Sequence, residues 1–154
     1  MKKIVSVAVG DLKFKELKEL EKKYLKKIDR FVTFETINLK DINIRDEDVK
    51  KQKEGQMMLD KLDKKDFVIA LDEKGKKMDS LTFSRFLSEK LSYHPGRIVF
   101  LIGGHAGLSP SLAGRIDIKL SFSDMTFAHD IFRILFLEQL YRAFTIMKGM
   151  TYHR

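Results

Sequence analysis

The chain predicts an α/β fold: a mainly parallel sheet with helices on both faces. Three observations carry this expectation. Five short strand-like runs alternate with helical patterns, the order that produces parallel pairing through crossover helices. Two of the runs, residues 67–71 and 98–102, are almost wholly apolar, as strands covered on both faces are. The chain has 154 residues, 44% hydrophobic and 34% charged. That is enough to bury a sizeable core, and one domain over residues 1–154 is expected.

The elements follow in order. Residues 4–9 form a β-branched run ending at Gly10, a first strand. Leu17, Leu20, Tyr24 and Ile28 then recur at helical spacing among lysines and glutamates, giving a helix with one buried and one solvated face. Residues 31–39 alternate as a second strand. Residues 46–62 read as a helix with acidic side chains in its first turn and Val49, Met57, Met58, Leu59 and Leu62 on its apolar side. Gly55 interrupts that helix at a cost of about 1 kcal/mol relative to alanine, so a packing or contact role is expected. Residues 67–71 are the third strand. Asp79 or Ser80 can cap a helix that buries Leu81, Phe83, Phe86, Leu87 and Leu91. His94-Pro95-Gly96 is a turn, and residues 98–102 are the fourth strand. Ser109-Pro110 can start a short helix, proline at its first position. Ile116, Ile118 and Leu120 alternate as a fifth strand, and residues 128–147 form the last helix.

In open parallel sheets ligands gather at the carboxyl ends of the strands. Three segments are expected there: residues 71–76, the glycine-rich Gly103-Gly104-His105-Ala106-Gly107, and residues 121–129. The glycines permit a sharp turn and close approach of a flat ligand to main-chain amides. Their G-G-x-x-G spacing after the fourth strand does not match a dinucleotide fingerprint. The last helix is apolar nearly all round, which predicts burial in a core or a subunit interface, and a dimer is expected. Within it Glu138 and Arg142 stand in the favourable i, i+4 order for an ion pair. His129 is expected to cap the start of that helix. Tyr152-His153-Arg154 at the chain end offers a stacking surface, a group that titrates near neutrality and a phosphate-binding fork.

Composition narrows the function classes. The formal net charge is +8, with the excess spread over both halves, which suits a polyanionic partner such as nucleic acid. With no cysteine, thiolate chemistry, disulfides and cysteine-based zinc sites are excluded. The four histidines lack metal-ligand spacing, so no metal is expected. No run reaches the roughly 18 apolar residues of a membrane span, and a cytoplasmic protein is expected.

A longer series of residues now becomes informative. It runs from Ala8-Val9-Gly10, Lys53-Glu54-Gly55 and Leu71-Asp72 with Gly75-Lys76 to Ile102-Gly103-Gly104 with Gly107-Leu108-Ser109. It continues through Leu120-Ser121-Phe122-Ser123, Met125-Thr126-Phe127, His129 and Glu138-Gln139-Leu140-Tyr141-Arg142-Ala143 to Tyr152-His153-Arg154. In this order the chain resembles, end to end, the RlmH (YbeA-like) family of SPOUT-superfamily ribosomal RNA methyltransferases. The resemblance implies an α/β-knot fold with a C-terminal trefoil knot, and a homodimer packed through the knot region. It implies methyl transfer from S-adenosylmethionine to N3 of a pseudouridine in a hairpin loop of 23S rRNA on the assembled ribosome. Carried over by position, the cofactor pocket comprises Leu71, Gly103, Gly104, Ser123, Asp124, Met125, Thr126, Phe127 and Ala128. Arg142, Tyr152, His153 and Arg154 match positions that handle the RNA and the target base. The chain departs from the family where proline is frequent, at His105, Ala128 and Thr151.

The N3 proton of the target must leave, and His153 is the expected base, with Arg142 and Arg154 stabilising developing charge or holding phosphates. Two alternatives stand beside this reading: a non-enzymatic ribosome- or RNA-binding module, and a knotted enzyme acting on transfer RNA.

Overall fold

Strand and helix alternate along the whole described chain, residues 2–154 of a computed structural model. The strands are β1 (Lys3–Val9), β2 (Thr33–Leu39), β3 (Phe67–Lys77), β4 (Ile98–Ile102) and β5 (Ile118–Ser121). The helices are α1 (Lys15–Ile28), α2 (Glu47–Leu59), α3 (Ser80–Tyr93) and α4 (His129–Met147), with a single 3-10 turn at Pro110–Leu112. The sheet order is β2-β1-β4-β3-β5 and every pairing is parallel. The expected α/β architecture is therefore the observed one.

Alternation within each strand divides the core into two layers. Ile4, Ala8, Ile69, Phe100 and Ile102 point to one face, where Ile28 of α1, Phe83 and Leu87 of α3, and Phe136, Leu137 and Leu140 of α4 cover them. Val5, Val7, Val68, Val99 and Leu101 point to the other, under Met58 of α2 and Leu112. Each fully buried aliphatic or aromatic side chain contributes about 1.5–3 kcal/mol.

The helix starts are chemically specified. The Asp46 carboxylate accepts from the amides of Asp48 and Val49, and Asp79 accepts from Thr82. Ser80, the other expected cap, instead donates to Gln139 of α4 at 2.6 Å. Gly55 has the packing role its position suggested: a Cβ there would lie 2.7 Å from that of Ser109.

Some expectations need correction. β2 starts at Thr33, because Phe31 closes the turn after α1 and stacks on Phe144 with ring centroids 5.4 Å apart. α2 ends at Leu59, since the amides of Lys61 and Leu62 turn back tightly to Met58 and Leu59. Val49, Leu20 and Leu81 are exposed, lying at the margins of their helices' apolar faces. The largest difference is β3, which continues six residues past Leu71. Leu71 and Lys76 both register with Leu120, so the four residues between them bulge outward before pairing resumes at Lys77 and Ser121. Gly75 permits this: a Cβ would sit 2.6 Å from the Lys119 carbonyl carbon.

A buried ion pair anchors the start of β4. Arg97 Nε and Nη2 donate to the two oxygens of Asp66 at 2.9 and 2.7 Å. Burial alone would raise the Asp66 pKa, but Arg97 and the Asp63 amide overcome it and hold the carboxyl below its ordinary value of 3.8. A depressed folded-state pKa means the stabilisation is complete above about pH 4 and is lost as pH falls through the folded value. Asp66→Asn is expected to cost about 1–3 kcal/mol at neutral pH, since it weakens charge-assisted bonds in a buried place. The loss should shrink steadily below about pH 4, as urea unfolding midpoints of parent and variant will show.

Candidate active site

The bulge of β3 and the carboxyl ends of β4 and β5 enclose a cleft of about 690 Å³, within the range of small-molecule sites. Its walls come from the β3 bulge, the glycine loop after β4 and the loop after β5. Of the residues expected to hold a cofactor, Leu71, Gly103, Gly104, Ser123, Met125, Thr126, Phe127 and Ala128 line it. Asp124 does not: its exposed carboxylate turns away to pair with Lys77. Ile102, Leu108, Phe122 and Phe132 supply further apolar surface, and Lys51 of α2 reaches the rim.

Local chemistry shapes each wall. The amide of Gly107 bonds the Gly104 carbonyl at 3.0 Å, closing a tight turn, and Gly107 has a φ of +85°, a conformation natural to glycine. A Cβ at Gly103 would stand 2.7 Å from the Gly107 carbonyl carbon. The loop after β5 is folded on itself, with Ser123 Oγ accepting from the Met125 amide. It is tied to the β3 bulge where Thr126 Oγ1 donates to Glu73 at 2.7 Å.

His129 is the first residue of α4 rather than its cap, a position held by Ala128 with no side-chain bond. Its Nε2 donates to the Val9 carbonyl at 3.2 Å. Burial, followed by the charge of Arg133, pushes its pKa down, so a neutral ring lines the cleft. Arg133 is buried in turn and donates to the Gly10 carbonyl and to Asn38 Oδ1, both at 2.8 Å. Sequence reasoning missed it, because one arginine among apolar residues carries no local signal of its partners.

A second cluster occupies the other end of α4. Glu138 Oε1 accepts from Arg142 Nε at 3.0 Å and Nη2 at 2.6 Å, and from the Tyr152 hydroxyl at 2.9 Å. Arg142 Nη1 lies 3.1 Å from His153 Nδ1. Its guanidinium stands 4.8 Å over the Tyr152 ring, which itself meets Tyr141 edge to face. Burial and then Glu138 push the Tyr152 pKa well above its ordinary value, keeping it a phenol. A guanidinium only donates, so His153 Nδ1 accepts and a neutral ring carries its proton on Nε2. Arg154 is exposed at the end of the cluster.

The structure thus joins three of the four expected catalytic residues with Glu138, but none of the four lines the cleft. Arg142 stands thirteen residues beyond His129 in one continuous helix, about 20 Å along its axis.

The family described as "Predicted SPOUT methyltransferase" matches residues 2–153. Curated relatives span nearly the whole chain. One from Carboxydothermus hydrogenoformans is 42% identical, covering 98% of this chain and 99% of its own length. One from Clostridium kluyveri is 41% identical with the same coverage. One from Christiangramia forsetii is 40% identical over 96% of each. All three bear the name "Ribosomal RNA large subunit methyltransferase H".

Proposed function

Because the chain belongs to the SPOUT methyltransferase family, we propose that it methylates large-subunit ribosomal RNA with S-adenosylmethionine. The target in this reading is N3 of a pseudouridine in a 23S rRNA hairpin loop, on assembled ribosomes in the cytoplasm. The working form is a homodimer, with the knotted threading that the resemblance implies.

The separation of the two residue clusters along α4 carries the dimer. Ile131 and Leu135 are exposed and fall with Glu138 and Arg142 on one stripe of that helix. Two copies pairing these stripes antiparallel bring the Arg142 end of each helix to the cleft end of the other. A two-fold interface of this kind is self-complementary and completes two sites at once.

The cleft suits the cofactor. Leu71, Ile102 and Phe122 offer apolar surface for a purine, and Gly103 and Gly104 let the bound molecule approach the main chain. When bound, the cofactor supplies an electrophilic methyl group on a sulfonium. The protein's tasks are alignment, exclusion of water and management of one proton. Arg142 stabilises the negative charge that develops as N3 loses its proton. While Arg142 holds Nδ1, His153 presents Nε2–H to the base; when Arg142 releases Nδ1, the ring can carry its proton there and leave Nε2 free to accept the one that N3 loses. Tyr152 and Arg154 present a ring and a phosphate-binding fork.

A basic surface adjoins this cluster. Lys26 and Lys27 lie in the last turn of α1, and Lys27 Nζ stands 5.1 Å from the Tyr141 ring centroid. An enzyme guided to RNA by such charge binds with strong salt dependence.

The test is methylation of ribosomes, free rRNA and transfer RNA with labelled S-adenosylmethionine, followed by mapping of the modified nucleotide. Label on a 23S pseudouridine in ribosomes is the expected result. Label on transfer RNA, or cofactor binding without transfer to any of the three, would sink the reading.

A further inference from the structure

Glu54 of α2 is the one side chain among the described residues whose buried polar atoms have no hydrogen-bond partner. It is 3% exposed, and both carboxyl oxygens are enclosed. They face the glycine loop: a Cβ on Gly104 would lie 3.3 and 3.4 Å from them, and as close to Val9. Gly104 also lines the cofactor cleft. A carboxyl group therefore sits against the wall of the cleft with nothing to bond, separated from it by a residue that lacks a side chain.

An unpaired carboxylate in such a place is costly, and burial favours the protonated form. Burial raises the Glu54 pKa; the charge of Lys50 opposes the rise and that of Asp41 adds to it. Those two are already paired with each other at 3.0 Å, so neither neutralises Glu54. Gly104, which packs on it, and Val9, which neighbours Gly104, carry no charge, and Lys51 and His105 line the cleft itself. A buried acid without a hydrogen-bond partner beside a binding cleft is suited to meet an incoming cation.

We propose that Glu54 is the counter-charge for the sulfonium of the cofactor, releasing its proton when that cation is seated against Gly103 and Gly104. The carboxyl O–H bond breaks, the proton passes to the buffer, and nothing is oxidised or reduced. The inference rests on the methyltransferase reading above and adds to it a residue that distinguishes the charged donor from its neutral product.

Calorimetry of S-adenosylmethionine and S-adenosylhomocysteine, in two buffers of different ionisation enthalpy, tests it. The range is about pH 5 to 8, which a raised buried carboxyl can reach. The parent chain should release up to about one proton with the sulfonium ligand and none with the thioether. Glu54→Gln should lose that release and bind the sulfonium ligand about tenfold more weakly, equal to one unit of pKa, with thioether affinity unchanged. Isotope-edited infrared spectra of the parent chain give the same answer without a variant: a protonated-carboxyl band should vanish with the sulfonium ligand only. Equal losses for both ligands, undiminished proton release in Glu54→Gln, or a band that does not respond would overturn the proposal. No heat from either ligand on the parent chain would overturn the methyltransferase reading, and this inference with it.

Discussion

Arg142→Lys should lower methyl transfer to ribosomes by about 100-fold or more, the scale seen when one donor to a developing anion is removed. S-adenosylmethionine affinity should be unchanged. Arg142 serves three partners at once: it forks onto Glu138, donates to His153 Nδ1 and covers the Tyr152 ring. A lysine ammonium has neither the planar fork nor the stacking face, and cannot hold all three. Initial rates with labelled cofactor, beside calorimetry of the same preparation, read the two quantities separately. A parallel fall in cofactor affinity would mean that this cluster holds the cofactor as well as the target base.

Gly103→Ala should do the reverse, weakening S-adenosylmethionine binding by about 10- to 100-fold, the equivalent of 1–3 kcal/mol of overpacking. The added methyl would meet only backbone, at 2.7 Å from the Gly107 carbonyl carbon and 3.0 Å from the Leu108 amide. No side-chain rotation relieves that contact, so the loop itself must move. Mixing the two impaired variants, at a cofactor concentration that fills the parental site and leaves the Gly103→Ala site largely empty, then gives a decisive readout. With random pairing, half the dimers are mixed and each holds one intact site, so about a quarter of parental activity should return. No recovery in a mixture shown to exchange subunits would place both clusters of one site in the same chain.

The buried parts of the fold were legible because burial leaves a pattern. Residues 98–102 have no polar side chain and could only be a central strand, and its neighbours' carboxyl ends located the cleft. The extension of β3 left no such trace. Residues 72–77 are mostly charged, and their strand pairing comes from β5, 44 residues away in the partnership of Lys77 with Ser121. Only Gly75 hinted that another backbone passes close. Glu54 was hidden for a related reason. Between Lys53 and Gly55 it reads as part of a solvated helix face. Its burial follows from the approach of Ser109 to Gly55, a tertiary contact. At the C-terminus the i, i+4 spacing anticipated the Glu138–Arg142 pair. The joining of Tyr152 and His153 to it required the turn after Met147, which periodicity does not describe.

The unbroken run of α4 has one more consequence. Arg133 rivets its first turns to the ends of β1 and β2, while its far end bears the residues assigned to the target base. The helix is therefore a ruler as well as a wall. Losing one residue from its middle would swing the far end by roughly 100° and shorten the gauge by about 1.5 Å. Side chains could all survive such a change and still arrive out of phase with the methyl donor.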